Sequence, residues 1–112
     1  MKTSNLTPVV EATMEFDLSK YKKIPSQTGC YAISNFENEI LYIGKAKNLR
    51  NRFLQHLESP KKTNQTPFGK PYWFSYTLRN DEFELSRLEK GWLNHFELHN
   101  GGLPILNKIH AG

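Results

Sequence analysis

The sequence predicts an α+β fold: a small, three-stranded, largely antiparallel sheet flanked by helices. Three observations predict it. Two short β-branched and aromatic runs lie close together, Cys30-Tyr31-Ala32-Ile33 and Ile40-Leu41-Tyr42-Ile43. A third run of the same kind, Tyr72 through Leu78, follows after a gap. Segments with apolar residues at helical spacing stand before and after that third run. The resulting order, strand, strand, helix, strand, helix, suits helices packed on a central sheet.

Residues 1–20 show no clear period and begin with Thr3, Ser4, Asn5, Thr7 and Pro8. They read as a mobile or surface-draped arm ahead of a domain spanning residues 21–112. The first two strands flank the polar stretch Asn35-Phe36-Glu37-Asn38 and should form a hairpin. Symmetric closure would pair Ile33 with Ile40 and Tyr31 with Tyr42. Alternation then puts Tyr31, Tyr42 and Gly44 on one face. From about Lys47 to Ser59 the chain reads as a helix burying Leu49, Phe53 and Leu57, with Arg52 and His56 one turn apart on the shoulder of that stripe. Pro60 to Pro71 is rich in Lys, Thr, Asn, Gly and Pro and reads as a long loop. After the third strand, Asn80 or Asp81 can cap a helix that runs to about His99 and stops at Asn100-Gly101-Gly102. Its core stripe is Leu85, Leu88, Trp92 and Phe96, and the tail returns through Pro104-Ile105-Leu106-Asn107.

Length and composition narrow the function. A chain of 112 residues fits one domain, and 38% hydrophobic residues can fill its core. No stretch approaches the roughly 20 apolar residues of a membrane span, and no export or transit pattern is present, so a cytoplasmic location with no membrane partner is the expectation. Cys30 is the only cysteine, which rules out an internal disulfide and a cysteine zinc site. The net charge is +4, and the excess is local: seven Lys and Arg lie between Lys45 and Lys70 against one acid, Glu58. Such a face attracts phosphates, although basic runs also serve simply as solvated surface.

Glu89 stands out on the second helix. Rotation of about 100° per residue places it beside Leu85 and Phe96, towards the sheet rather than open water. Two readings are open. It pairs with Arg52 or Lys45 or snorkels at the stripe's edge, or it is a ligand for a hard divalent ion, since Mg²⁺ commonly takes only one or two protein carboxylates and keeps several waters.

Gly29-Cys30-Tyr31, followed by Tyr42-Ile43-Gly44-Lys45 and then Arg52, Leu88-Glu89 and Pro104-Ile105-Leu106-Asn107, resembles the GIY-YIG nuclease family over about Gly29 to Asn107. Within that family the run from Leu41 to Arg52 is most similar to the nuclease module of the bacterial excision-repair incision enzymes. The resemblance implies a metal-dependent endonuclease that cleaves DNA to 5′-phosphate and 3′-hydroxyl ends, with one Mg²⁺ or Mn²⁺ held by Glu89. By position it assigns catalysis to Tyr31, Tyr42, Arg52, His56 and Glu89, and substrate contact or orientation to Gly44, Lys45, Lys47, Arg50 and Asn107. His56 stands where family members carry Tyr or His, and Cys30 replaces the usual Ile. Which tyrosine handles the water's proton stays open.

Other readings keep the same residues. The basic surface could serve a non-catalytic module that binds nucleic acid or protein, and the same site could serve an RNA-directed or structure-specific nuclease. No base-reading motif accompanies the site. Specificity is therefore left to the Pro60–Pro71 loop, the N-terminal arm, an oligomer or a partner protein. Cys30 reads as a small buried residue, His95 and His99 as helix residues lacking a third metal ligand, and Tyr72, Trp73, Phe74 and Tyr76 as core aromatics rather than base-stacking ones.

Overall fold

Residues 1–109 are described by the computed structural model. Strands β2 (Gly29–Ser34) and β3 (Ile40–Ala46) form the expected hairpin, and β4 (Trp73–Leu78) pairs antiparallel with the other edge of β2. The sheet is antiparallel throughout, as expected, but has four strands rather than three. β1 (Ala12–Glu15) pairs with β4, giving the order β1-β4-β2-β3.

That extra strand corrects the reading of residues 1–20 as a loose arm. Ala12-Thr13-Met14-Glu15 is too short and too mixed to show a period, and the strand is specified instead by its partner. Thr13 Oγ1 and Ser75 Oγ lie 2.9 Å apart across the pair. The segment before it is also tied down. The Met1 ammonium meets Glu39 at 2.8 Å, Leu6 is buried, and Trp92 Nε1 donates to the Pro8 carbonyl at 3.0 Å.

The hairpin register differs from symmetric closure by two residues. Tyr31 lies opposite Gly44 and Ile33 opposite Tyr42, with an irregularity before the Ser34–Ile40 pair. A slip of one would have sent Tyr42 to the other face, whereas a slip of two keeps parity. Tyr31 and Tyr42 therefore remain on one face as diagonal neighbours, with ring centroids 6.0 Å apart.

Helices cover both faces. On one, Leu49 and Phe53 of α1 (Leu49–Leu57) pack with Tyr31, Ile33 and Phe74. On the other, α3 (Glu82–Asn100) lays its expected stripe of Leu85, Leu88, Trp92 and Phe96 against Cys30, Ala32 and Ile43. The caps follow the sequence logic. The side chain of Asn48 accepts from Asn51 N at the start of α1, that of Asp81 accepts from Phe83 N at the start of α3, and Gly101 ends α3 with φ 75°. Of the third strand's aromatics only Phe74 is fully buried, and Tyr72 is exposed. The stretch from Pro60 to Pro71 is more ordered than a loop: it contains α2 (Pro60–Thr63) and a bridge between Thr66 and Gly69. No described helix is long and apolar enough to cross a membrane.

Strand β3 would be an open edge but for the chain's end. Asn107, on α4 (Ile105–Ile109), donates through Nδ2 to the Ile43 carbonyl at 2.8 Å, and its Oδ1 accepts from Ile43 N at 2.9 Å. One side-chain amide thus replaces a missing ladder partner between Tyr42 and Gly44.

Candidate active site

The two tyrosines close over Gly44. A Cβ at that position would stand 2.7 Å from Tyr31 Oη and 2.8 Å from Tyr42 Cε2, so only glycine admits both rings. Tyr31 is wholly enclosed, and its hydroxyl lies 2.5 Å from His56 Nε2 on α1. Burial lifts the Tyr31 phenol well above its usual range, and the neighbouring Tyr42 adds to this. Burial also takes His56 down from 6.5 to about 4, helped by the positive charges of Lys62 and Arg52. At neutral pH the phenol is therefore protonated and the imidazole neutral, and the two share one hydrogen bond whose direction follows the imidazole tautomer. Tyr42 is less enclosed than Tyr31. Burial raises its phenol, Tyr31 and Arg52 lower it, and the Glu89 charge raises it.

Glu89 on α3 is half-buried, and burial raises its carboxyl, an effect Lys45 partly offsets. The ion pair with Arg52 or Lys45 that would explain it structurally does not form: among the described residues, no basic side chain lies within 4.0 Å of its carboxylate. Lys45 Nζ donates instead to Ser86 Oγ at 2.9 Å, and Arg52 Nη1 donates to the Lys45 carbonyl at 3.3 Å. An open cleft of about 590 Å³ between α1 and α3 runs past these two cations, with Lys47, Asn51, Gln55 and Ser86 along its walls. Lys47 sits at its rim in an exposed pair with Glu82 at 3.3 Å.

The structure thus brings Tyr31, Tyr42, Gly44 and His56 together, leaves Arg52 and Glu89 near enough for their charges to act on the Tyr42 phenol and Lys45 near enough to act on Glu89, and braces the strand between Tyr42 and Gly44 with Asn107 of α4. It does not bring Arg50. That guanidinium donates to the Ile24 carbonyl at 2.8 Å and the Lys22 carbonyl at 2.9 Å, tying α1 to the segment before β2, away from the cleft. Cys30 is buried on the opposite face from Tyr31, with its thiol directed at the Gly44 carbonyl. His95 and His99 meet edge to face with ring centroids 4.8 Å apart, and no group of three metal-binding side chains occurs among the described residues.

One residue at the site escaped the sequence reading. Lys62 of α2 is buried, with Nζ 4.7 Å from the centre of the Tyr42 ring. The only sequence signal for its helix is Ser59-Pro60, a capping residue before proline.

Fold and site together define the class: the chain belongs to the GIY-YIG family, whose catalytic-domain model matches residues 27–101. Among curated relatives, the UvrABC system protein C of Cytophaga hutchinsonii is 38% identical over 74 residues, covering 63% of this chain and 12% of the relative. That of Mycoplasmoides gallisepticum is 36% identical over 101 residues, covering 88% of this chain and 17% of the relative. The chain therefore spans only a small part of these relatives' length. Among solved structures, the GIY-YIG N-terminal endonuclease domain of UvrC from Thermotoga maritima, bound to its catalytic divalent cation magnesium, matches with a TM-score of 0.53 and 25% identity, covering 80% of this chain and 92% of that one.

Proposed function

We propose that this domain is a metal-dependent endonuclease that hydrolyses DNA phosphodiester bonds, leaving 5′-phosphate and 3′-hydroxyl ends, with Glu89 as ligand for one Mg²⁺ or Mn²⁺. The observation that carries the reading is Glu89 itself, a half-buried carboxylate without a counter-ion whose charge reaches the Tyr42 phenol. A buried charge left unpaired is costly, so the position fits a site completed by a cation. A single carboxylate suits an ion that keeps most of its waters.

The residues divide the work of hydrolysis. Arg52, with Lys45, faces the cleft and binds the non-bridging oxygens of the scissile phosphate. When bound, the cation supplies Lewis acidity at the leaving 3′ oxygen. Tyr42, the less enclosed of the two tyrosines, is the one placed to take the proton of the attacking water, a role it fills as phenolate once its own proton has passed to solvent. Neutralising Glu89 removes one of the two influences that hold the Tyr42 phenol up and leaves Arg52 to lower it. Tyr31 and His56 fix the floor on which Tyr42 rests, and Asn107 fixes the strand that carries it. Phosphate contacts position a strand without reading it, so target choice rests on a protein partner or a second copy.

The test is plasmid nicking by the wild type and Glu89→Ala with Mg²⁺, Mn²⁺ or chelator. Metal-dependent nicking that Glu89→Ala reduces by orders of magnitude supports the proposal. Tight DNA binding with no cleavage under any divalent metal would replace it with a binding module.

A further inference from the structure

Lys62 lies outside the set of residues named for the reaction, yet its surroundings are not those of an ordinary surface lysine. The residue is only 6% exposed, and its ammonium rests over the face of the Tyr42 ring. No carboxylate lies within 4.0 Å of it among the described residues. Its charged neighbours are cations: burial and Lys61 both depress its affinity for a proton, and its own charge helps depress that of His56. Methionine or leucine would fill the same space without the penalty of an unpaired charge. The ammonium nevertheless keeps contact with solvent, since among the described side chains the only fully enclosed unpartnered polar atom is Ser34 Oγ. The four-carbon stem is packed while the tip can be met from outside, the usual posture of a lysine waiting at a boundary.

We propose that Lys62 is a further substrate-contact residue, whose ammonium takes a backbone phosphate next to the scissile one where the nucleic-acid strand passes Tyr42. This rests on the DNA-cleaving reading above. Lys62 does not line the cleft that holds Lys45 and Arg52, so it adds a cation at the Tyr42 ring beyond those two. The exposed Lys61 adds to the attraction. The short helix α2 then has a purpose that a loop would not serve: it fixes the lysine at the height of the ring.

The alternative is that Lys62 only props Tyr42, and the two roles differ in salt dependence. A lost phosphate contact lowers the slope of log affinity against log salt by about 0.9 for duplex DNA. The experiment measures duplex affinity between 50 and 200 mM salt, taken as roughly the range in which such slopes are resolved, together with nicking kinetics, for wild type, Lys62→Met and Lys62→Arg. The proposal expects Lys62→Met to lose about one unit of slope, with a KM raised roughly tenfold and the loss falling mainly on KM. Lys62→Arg should restore the slope, which also guards against misfolding of the methionine variant. An unchanged slope with a fallen kcat in Lys62→Met, while the wild type nicks normally, overturns this proposal and leaves the nuclease reading intact. Absence of both binding and nicking in the wild type overturns the two together.

Discussion

Tyr31 Oη and His56 Nε2 meet at 2.5 Å beneath the surface, joining the hairpin to α1 through one buried hydrogen bond. The imidazole there is neutral at ordinary pH, because burial holds His56 at about 4, below its ordinary 6.5. Because the folded value is the lower one, the unfolded chain takes up the proton first. Stability from this residue is fully present above 6.5 and is lost as pH falls towards 4. The interval corresponds to at most about 3 kcal/mol. Urea unfolding of wild type and His56→Phe at pH 7.5, 5.5 and 4.5, values chosen to span roughly that interval, checks it. The wild type is the more stable at the highest pH, and its advantage shrinks at each step down.

Gly44 is the closest approach in the site. Gly44→Ala forces a methyl into two packed rings, which costs about 1 to 3 kcal/mol as overpacking and displaces Tyr42. Thermal denaturation should show the loss, and nicking should fall with it. An unaltered melting temperature would mean that the rings do not close over this position.

Glu89 destabilises the metal-free protein in a pH-dependent way. Burial raises its folded pKa above the unfolded value of 4.5, so the stabilised form is the protonated one, and that benefit is lost as pH rises through the folded value. Glu89→Gln should therefore melt at or above the wild-type temperature at pH 7 in chelator, with the difference vanishing in acid. Added Mg²⁺ reverses the order, since a ligand at 100 times its Kd stabilises by about 2.7 kcal/mol and only the wild type binds it there. Differential scanning in the two buffers reads both signs.

Arg52 faces the cleft as a planar fork. Arg52→Lys keeps the charge but loses two-point contact with phosphate, and its kcat for nicking should drop roughly a hundredfold, while Arg52→Ala loses more. Duplex affinity should change far less than kcat in either variant. A lysine variant with wild-type kcat would show that only the charge matters.

Those parts of the molecule with a local cause were legible in the sequence. The stripe Leu85, Leu88, Trp92 and Phe96, a cap at Asn80 or Asp81 that the structure gives to Asp81, and the parity of Tyr31 with Tyr42 follow from period, capping and alternation, and all appear in the structure. The features that were not legible depend on distant partners. β1 exists because β4 offers an edge, and of the hairpin's two-residue slip one residue arises at the irregularity between Ile33 and Ser34. Arg50 looked equivalent to its basic neighbours, yet two carbonyls some 26 and 28 residues earlier claim its guanidinium. Lys62 sat in a stretch that read as loop, and only the packed structure shows it over Tyr42. Charge in a sequence tells how many cations there are; their hydrogen-bond acceptors decide which remain free for a phosphate.

Anomalous diffraction from crystals soaked in Mn²⁺ tests most directly whether a cation binds at Glu89 beside Tyr42. The expected result is one peak about 2.1 Å from a Glu89 carboxylate oxygen, with waters completing the shell and Tyr42 alongside. The contrary result is a Glu89 carboxylate paired with Lys45 or Arg52 and no anomalous signal near it at saturating metal.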